Sequence, residues 1–423
     1  MRILLSGANG FIGRYLLARL VGAGHEVIPA VRDVRQTNDV LGRPASIPVD
    51  FNRDVTPETW LPRLKDIDAV INCVGILQGR PGQSIQAIHA AAPIALFKAC
   101  QQIGVKRVIQ ISAISSGADT AYAHTKQQAD TFLEATTLDW IVLRPSLVYA
   151  AGAYGGTLLF RALAALPFAI PLIGKGEQEF QPIHMDDLTA TVLRILATPA
   201  ITRTVIDPVG PETLSLRQIL LDLRRWLGLS SAPTLSIPLW LVRPVARVGD
   251  AFGGTINTTA LRQLAFGNTG SLESFVRATG IQPRRWHDML LAYPAQLQDR
   301  WAARLYFLRP LLRWAIALTW FGSGLAGLFH RDAIAANMPM LGQAPPTGLI
   351  WAVCLLDLLI GAAVVARWRT RLMTAAQVAV VAGYTTVLTL SEPSLWIEPF
   401  GPLLKNLPFV AAVLALAVLE TER

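Results

Sequence analysis

Eight residues near the start of the chain, Ser6 to Gly13 (SGANGFIG), follow directly on the apolar run Ile3-Leu4-Leu5 and lead into the helical pattern Tyr15 to Leu20. That order reads as a strand, a glycine turn and a helix. Gly7 permits the tight turn, Gly10 lets the backbone approach a pyrophosphate, and Gly13 lets helix and strand pack closely. The free N–H groups and positive dipole end of the helix then hold the diphosphate. Asn9, Phe11 and Ile12 fill the turn and are counted with the three glycines as cofactor-binding positions. Because the glycines, Asn9 and Arg14 interrupt the apolar stretch, no cleaved secretory leader is expected.

Strands and helices alternate after this opening. Gly24 ends the first helix, and Glu26 to Val31 reads as a second strand, followed by Arg32 and Asp33. An acidic residue here serves a ribose 2′-hydroxyl and an arginine a 2′-phosphate; Arg32 comes first, so NADP(H) is favoured over NAD(H). Ile47 to Phe51 reads as a short strand that sets Asp50 and Phe51 beside the adenine. Asp68 to Gly75 (DAVINCVG) is a buried strand ending in Val74 and Gly75 near the cofactor. His89 to Gly104 reads as a helix and Arg107 to Ser112 as the next strand. The alternation through about residue 150 predicts an α/β Rossmann fold with a doubly wound parallel sheet.

Composition sets this half apart from the rest. The 423 residues leave room for two or three domains, and 52% hydrophobic content with only 16% charge is too apolar for a wholly soluble enzyme. The formal charge of +9 is scattered, with no dense basic run among aromatics, so an anionic membrane leaflet is the expected partner and nucleic acid is not. Cys73, Cys100 and Cys354 lie far apart without metal-ligand spacing and read as buried free thiols in a reducing compartment.

Several ordered pieces resemble the short-chain dehydrogenase/reductase superfamily in its extended or atypical, epimerase/dehydratase-like branch. They are SGANGFIG, DAVINCVG, the strand ending in Ser112, YAHTK at Tyr122 to Lys126, LRPSLVY at Leu143 to Tyr149, and IHMDDL at Ile183 to Leu188. The resemblance covers about residues 1–295, with a cofactor part to about 150 and a substrate lobe over 151–295. Tyr122 and Lys126 lie one helical turn apart on one face. A neighbouring ammonium is expected to lower the phenol pKa, so that Tyr122 exchanges a proton with substrate while hydride moves at the nicotinamide.

The family's lysine also holds the nicotinamide ribose, which the resemblance transfers to Lys126, and Ser112 is the candidate polarising hydroxyl. Pro145 joins the cofactor-binding set. Extended enzymes place a hydroxyl about where Ile114 stands; Ser112 or Ser115 is the substitute, the alternative for each being a bond to a nearby loop backbone, and Ser116 follows them. That departure resembles atypical relatives such as the NADPH-binding accessory subunit of respiratory complex I, where the nucleotide serves structure.

In the substrate lobe, His184 has no metal-ligand partner at suitable spacing and reads as a structural hydrogen-bonding group; the resemblance implies that it and Asp187, in IHMDDL, link the two lobes. Asp186 and Asp187 read as N-caps rather than an acid/base pair. Ser236 to Gly253 fits either a basic amphipathic helix on a membrane or a helix packed under the lobe.

Four apolar runs, about Leu308–Phe329, Gly348–Ala366, Leu372–Leu390 and Leu403–Leu419, predict an all-α four-helix transmembrane bundle over 305–423. Basic residues at Arg300, Arg304, Arg309, Arg313, Arg367, Arg369 and Arg371 place the N-terminal domain and the C-terminus in the cytoplasm, at the inner (plasma) membrane. The segment resembles the DoxX-like membrane family, most visibly in GPLLKNLP at Gly401 to Pro408, and that resemblance implies a quinone-linked membrane system. Asp357, in mid-span, is expected to be protonated or to meet Arg313 or Lys405.

The combined expectation is a membrane-anchored NAD(P)H-dependent oxidoreductase. Its substrate would be a lipophilic small molecule such as a quinone, isoprenoid or lipid-linked sugar, and no metal is expected. The alternatives are a non-catalytic NADPH-binding scaffold of a membrane complex and a sugar epimerase or dehydratase.

Overall fold

Six short strands, β1 (Arg2–Ser6), β2 (Glu26–Val31), β3 (Ile47–Pro48), β4 (Ala69–Asn72), β5 (Arg107–Ile111) and β6 (Asp139–Leu143), form one sheet with the later strand Thr204–Ile206. The order is Thr204–Ile206, β6, β5, β4, β1, β2, β3, and every neighbouring pair is parallel. The order reverses beside β1, which opens a crevice at the carboxyl ends of the strands.

Alternation along the strands explains both faces. Ile3, Leu5, Ile71, Ile109, Ile141 and Leu143 pack with Leu16 and Leu20 of α1 (Phe11–Gly22), whereas Leu4, Val70, Val108 and Val142 pack with Trp60, Phe97 and Leu133 on the other side. A strand covered on both faces has no solvent side, so its sequence is mostly apolar, and the polar residues it carries, Ser6, Asn72 and Gln110, are buried.

The structure, a computed structural model, describes residues 1–34, 45–79, 82–114, 119–252, 256–337, 346–399 and 401–420. The chain divides into two units, Met1–Ala303 and Arg304–Arg423. Further helices of the first unit are α2 (Ala92–Ile103), α3 (Ala121–Glu134), α4 (Met185–Ala197), α5 (Leu216–Trp226), α6 (Leu239–Phe252) and α7 (Thr258–Phe266). Strand Ile170–Ile173 pairs in parallel with Thr234–Ile237 in the smaller lobe.

Two expected elements differ. LRPSLVY is not one strand: β6 ends at Leu143, because Pro145 has no N–H for a ladder, and pairing resumes only at Val148–Tyr149. The helix expected from His89 begins instead with a π-turn, Ala87–Ala91, ahead of α2.

The second unit is built on α8 (Leu297–Phe329, which starts in the first), α9 (Thr347–Val365), α10 (Thr370–Ser391) and α11 (Asn406–Glu420). Ile316, Trp320, Ile360, Val364, Val381, Val413 and Leu416, drawn from all four helices, make one apolar core. Three of the helices, α8 to α10, are long and apolar enough to cross a membrane. The fourth expected span is a shorter helix of 15 residues. At 1.5 Å per residue it rises about 22 Å, less than the roughly 30 Å of hydrocarbon.

Candidate functional site

Gly7 turns the chain out of β1 with φ +74°, and its N–H donates to the Ala30 carbonyl at 3.1 Å. A Cβ on Gly13 would stand 2.1 Å from the Gly7 carbonyl oxygen, so only glycine lets α1 close on the turn. Gly10 is the N-cap of α1 and brings no side-chain cap. The first-turn N–H groups, at Phe11, Ile12 and Gly13, therefore have no intrahelical acceptor and point to the crevice with the positive end of the dipole. The Arg14 guanidinium fixes the turn by donating to the Asn9 carbonyl at 2.8 Å.

Beneath this turn the strand ends are tied by a buried polar ladder. Ser6 donates to Asn72 at 2.7 Å, Asn72 donates to Gln110 at 2.8 Å, and the Val74 N–H returns to the Asn72 side-chain oxygen at 3.2 Å. Both glycine turn and Val74-Gly75 loop are thus held from below. The free N–H groups of this turn have the donor chemistry that suits a diphosphate.

Helix α3 carries YAHTK. Thr120 caps it, accepting from the Ala123 N–H at 3.1 Å. Lys126 is buried, its Nζ donates to the Ile111 carbonyl at 3.0 Å, and a Cβ on Gly75 would lie 3.4 Å from that nitrogen. An ammonium has three donors, so two remain for hydroxyls of a ligand. Burial lowers the Lys126 pKa, opposed by Asp130 and Cys73.

Tyr122 is half-buried on the same helix, and its phenol behaves opposite to expectation. Burial first, then the nearby Asp130 carboxylate, pushes its pKa up to about 12. Lys126 does not lower it, because the ammonium is directed to Ile111 and offset by Asp130, one turn further on. At neutral pH Tyr122 is therefore a phenol with a proton to give.

Ser112 closes β5 but its hydroxyl donates to Asp130 at 2.5 Å beneath α3. Ile114 joins the apolar core of the α1 face and packs beside Gly270. The structure thus brings Tyr122 and Lys126 to the Gly75 loop, while Ser112 is engaged on Asp130. Ser115 and Ser116 lie outside the described residues.

Nothing in the sequence assigns His89 a role, and the structure places it at the centre. Its Nε2 accepts from the Ile76 N–H at 2.9 Å, which makes Nδ1 the protonated nitrogen, 3.1 Å from Thr125 Oγ1. Burial first, then the Lys126 charge, lowers its pKa to about 3, so it is neutral. Its ring meets Tyr122 edge to face at 5.3 Å. The only advance sign was a histidine entering an otherwise apolar helix, which the π-turn displays at this spot.

The remaining candidates are spread around the crevice. Arg32 is exposed at the end of β2, next to Asp33. Asp50 accepts from the Asn52 N–H at 3.0 Å within its own turn, and Phe51 is buried edge to face against Trp60 at 5.3 Å. Pro145 is buried, and its carbonyl accepts from the Ile114 N–H at 3.4 Å.

At the start of α4 the cap is His184, whose Nδ1 accepts from the Asp186 N–H at 3.2 Å. The two aspartates are not the caps expected of them. Asp186 receives Arg19 of α1 at 2.9 Å and the Tyr293 hydroxyl at 2.7 Å, and Asp187 receives Arg284 at 2.9 Å. Among the described residues no group of His, Cys, Asp or Glu could hold a metal.

In the bundle, Asp357 is buried and takes the hydroxyls of Ser323 at 2.7 Å and Tyr384 at 2.8 Å. Neither expected cation meets it. Arg313 pairs with Glu420 instead, because both are buried on facing helices.

Known proteins share both halves. Residues 7–162 match the NAD(P)H-binding family model and residues 317–414 the DoxX-like family model. Photosystem II assembly factor Ycf39 of Synechocystis is 25% identical, over 63% of this chain and 79% of its own length. Ceramide reductase of Caulobacter vibrioides is 20% identical over 61% and 80%. A complex I subunit, NADH dehydrogenase [ubiquinone] 1 alpha subcomplex subunit 9 of Dictyostelium discoideum, is 26% identical over 51% and 60%. The chain spans about a quarter of the length of a Mycobacterium tuberculosis relative to which it is 26% identical.

Among solved structures, an epimerase of Methanothermobacter thermautotrophicus superposes with TM-score 0.56 at 13% identity, over 73% of this chain and 93% of its own. UDP-glucose 4-epimerase of Thermotoga maritima gives 0.53 at 16%, over 70% and 97%. At such identity they show a common fold. The chain therefore joins an NAD(P)H-binding Rossmann domain with epimerase/dehydratase structural neighbours to a C-terminal DoxX-like domain.

Proposed function

We propose that this protein is a membrane-anchored, NAD(P)H-dependent reductase of a lipophilic carbonyl compound, of the class of quinones, isoprenoid ketones or lipid-linked sugars. It sits in the inner membrane with its nucleotide domain in the cytoplasm, and prefers NADP(H) through Arg32. The observation that carries the reading is the neutral Tyr122 phenol, held against neutral His89, with Lys126 on the next turn of the same helix.

When bound, the reduced nicotinamide supplies a hydride to the carbonyl carbon. Tyr122 donates its hydroxyl proton to the carbonyl oxygen, the C=O double bond becomes an alcohol C–O, and water restores the phenol. A phenol pushed up to about 12 favours this direction, since alcohol oxidation needs a phenolate to receive the proton. Lys126 turns its two unused donors toward ribose hydroxyls. The glycine turn and α1 N-terminus bind the diphosphate.

A second reading has one specific observation in its favour. With Ser112 donating to Asp130 and Ile114 in the core, Tyr122 is, among the described candidates, the one left to donate to a substrate oxygen. A nucleotide-binding subunit of a membrane complex needs no second donor. The resemblance to an assembly factor and to a complex I subunit supports the same reading.

The test is to purify the full chain in detergent, identify its nucleotide, and follow NADPH absorbance with a panel of long-tailed quinones and ketones. Turnover that Tyr122→Phe abolishes supports the reductase. Tight nucleotide binding without turnover of any carbonyl supports the subunit.

A further inference from the structure

Helix α6 is turned inside out for a surface helix. Its apolar residues Trp240, Leu241, Val245 and Val248 are 68%, 47%, 56% and 59% exposed, while Ala246 on the opposite side is fully buried. At 100° per residue, positions 240, 244, 248, 241 and 245 form one stripe about 140° wide. Arg243 and Arg247, one turn apart, run along one edge of it. The helix's acidic residue, Asp250, faces inward and accepts from Gln78 at 3.0 Å. Leu235, in the strand leading into the helix, is also exposed.

An apolar stripe edged by arginines and free of outward acid matches an anionic bilayer surface: the side chains enter the acyl boundary and the guanidiniums reach the headgroups. A second copy of the chain would bring the same positive edge to itself. The chain's own spanning-length helices also keep a bilayer at high effective concentration.

The inner side of this surface is fastened to the candidate site. Gln78, bonded to Asp250, lies three residues past Gly75. From α7, Gln263 donates at 2.8 Å to Thr120, the cap of the helix that carries Tyr122.

We infer that α6 is a bilayer-docking helix that admits a lipid-borne substrate from the membrane to the Tyr122 site. The docking stands on the exposed stripe; the admission of substrate rests on the reductase reading.

The experiment uses the full chain in nanodiscs containing anionic lipid, with a nitroxide attached through Trp240→Cys in a Cys73→Ala background. Cys100 and Cys354 are buried. A reference label is attached through Ile103→Cys at the exposed end of α2. Docking predicts that the first label is relaxed more by oxygen than by a water-soluble nickel chelate, and the reference label the reverse. Matching behaviour at both positions overturns docking, as does shielding at 240 from both relaxants that grows with protein concentration, the mark of a second copy.

Activity supplies the second arm. Trp240→Glu with Val248→Glu is expected to lower turnover of a long-tailed quinone about tenfold while sparing a short-chain soluble one and nucleotide affinity. Equal effects on both quinones overturn the admission of substrate. No turnover of either by the unaltered chain overturns the reductase, and with it the admission, whereas docking is still decided by the relaxation of the two labels.

Discussion

The two units bury polar groups in different ways. In the nucleotide unit, Ser6, Asn72 and Gln110 bond in a row under the glycine turn, and His89, Lys126 and Asp130 each bond a neighbour of their own, Ile76, Ile111 and Ser112, at the same end of the sheet. In the bundle they pair off between neighbouring helices: Arg313 with Glu420, Trp320 with Gln377 at 2.9 Å, Ser323 and Tyr384 with Asp357. Convergent groups, with unused donors on Lys126 and the α1 N-terminus, prepare a place for a ligand. Paired groups satisfy one another and cross-link the helices of the bundle.

The largest expected effect tests the convergent side. Gly13→Val drives side-chain atoms into the Gly7 carbonyl and is predicted to abolish nucleotide binding, read by titration calorimetry, while the detergent-solubilised bundle keeps its own thermal transition. A variant that still binds NADPH would detach the ligand from the turn.

Next comes chemistry. Tyr122→Phe is expected to lower kcat by about 100- to 10,000-fold, the usual contribution of a positioned acid, with nucleotide affinity unchanged. The pH dependence follows from the raised phenol pKa. The folded value, about 12, lies above the ordinary 10, so the protonated phenol is favoured in the native state. Its stabilising contribution is present below pH 10 and is lost as pH rises towards 12. Carbonyl reduction should stay flat through neutrality, and the reverse oxidation should rise about tenfold per pH unit. A reverse rate that levels off near pH 8 would mean that Lys126 lowers the phenol after all.

A smaller effect sharpens the paired side. Asp357→Ala removes the acceptor of the Ser323 and Tyr384 hydroxyls, at about 1 kcal/mol for each hydrogen bond lost, whereas Asp357→Asn keeps one acceptor oxygen and most of the stability. Denaturant titration in mixed micelles reads the difference. Equal loss in both variants would show that the charge itself matters. The smallest effect is Arg32→Glu, predicted to weaken NADPH binding about tenfold, near 1.4 kcal/mol, and NADH binding little.

Much of the nucleotide unit was legible because its signals are local. Strand apolarity, the glycine spacing and the four-residue step from Tyr122 to Lys126 are each fixed within a few residues. What escaped depends on distant partners. Burial first, and then Asp130, nowhere marked by spacing, reverse the shift expected at Tyr122, and Asp130 also claims the Ser112 hydroxyl. His89 gains its place through a π-turn that no periodicity announced. Likewise the bundle's apolar runs gave its helices, but the partners of Asp357 were set by which faces meet: they are the hydroxyls of Ser323 and Tyr384, not the expected Arg313 or Lys405.

The reductase reading depends above all on where the nucleotide's reactive ring comes to rest. A structure of the full chain in nanodiscs with NADPH bound measures it. The expected result is the diphosphate against Gly7–Gly13 and the Tyr122 hydroxyl facing the space over the nicotinamide, positioned so that a carbonyl oxygen placed there is within about 3 Å of it. A nucleotide held elsewhere, or a phenol still folded against His89 with no path to that space, would contradict it.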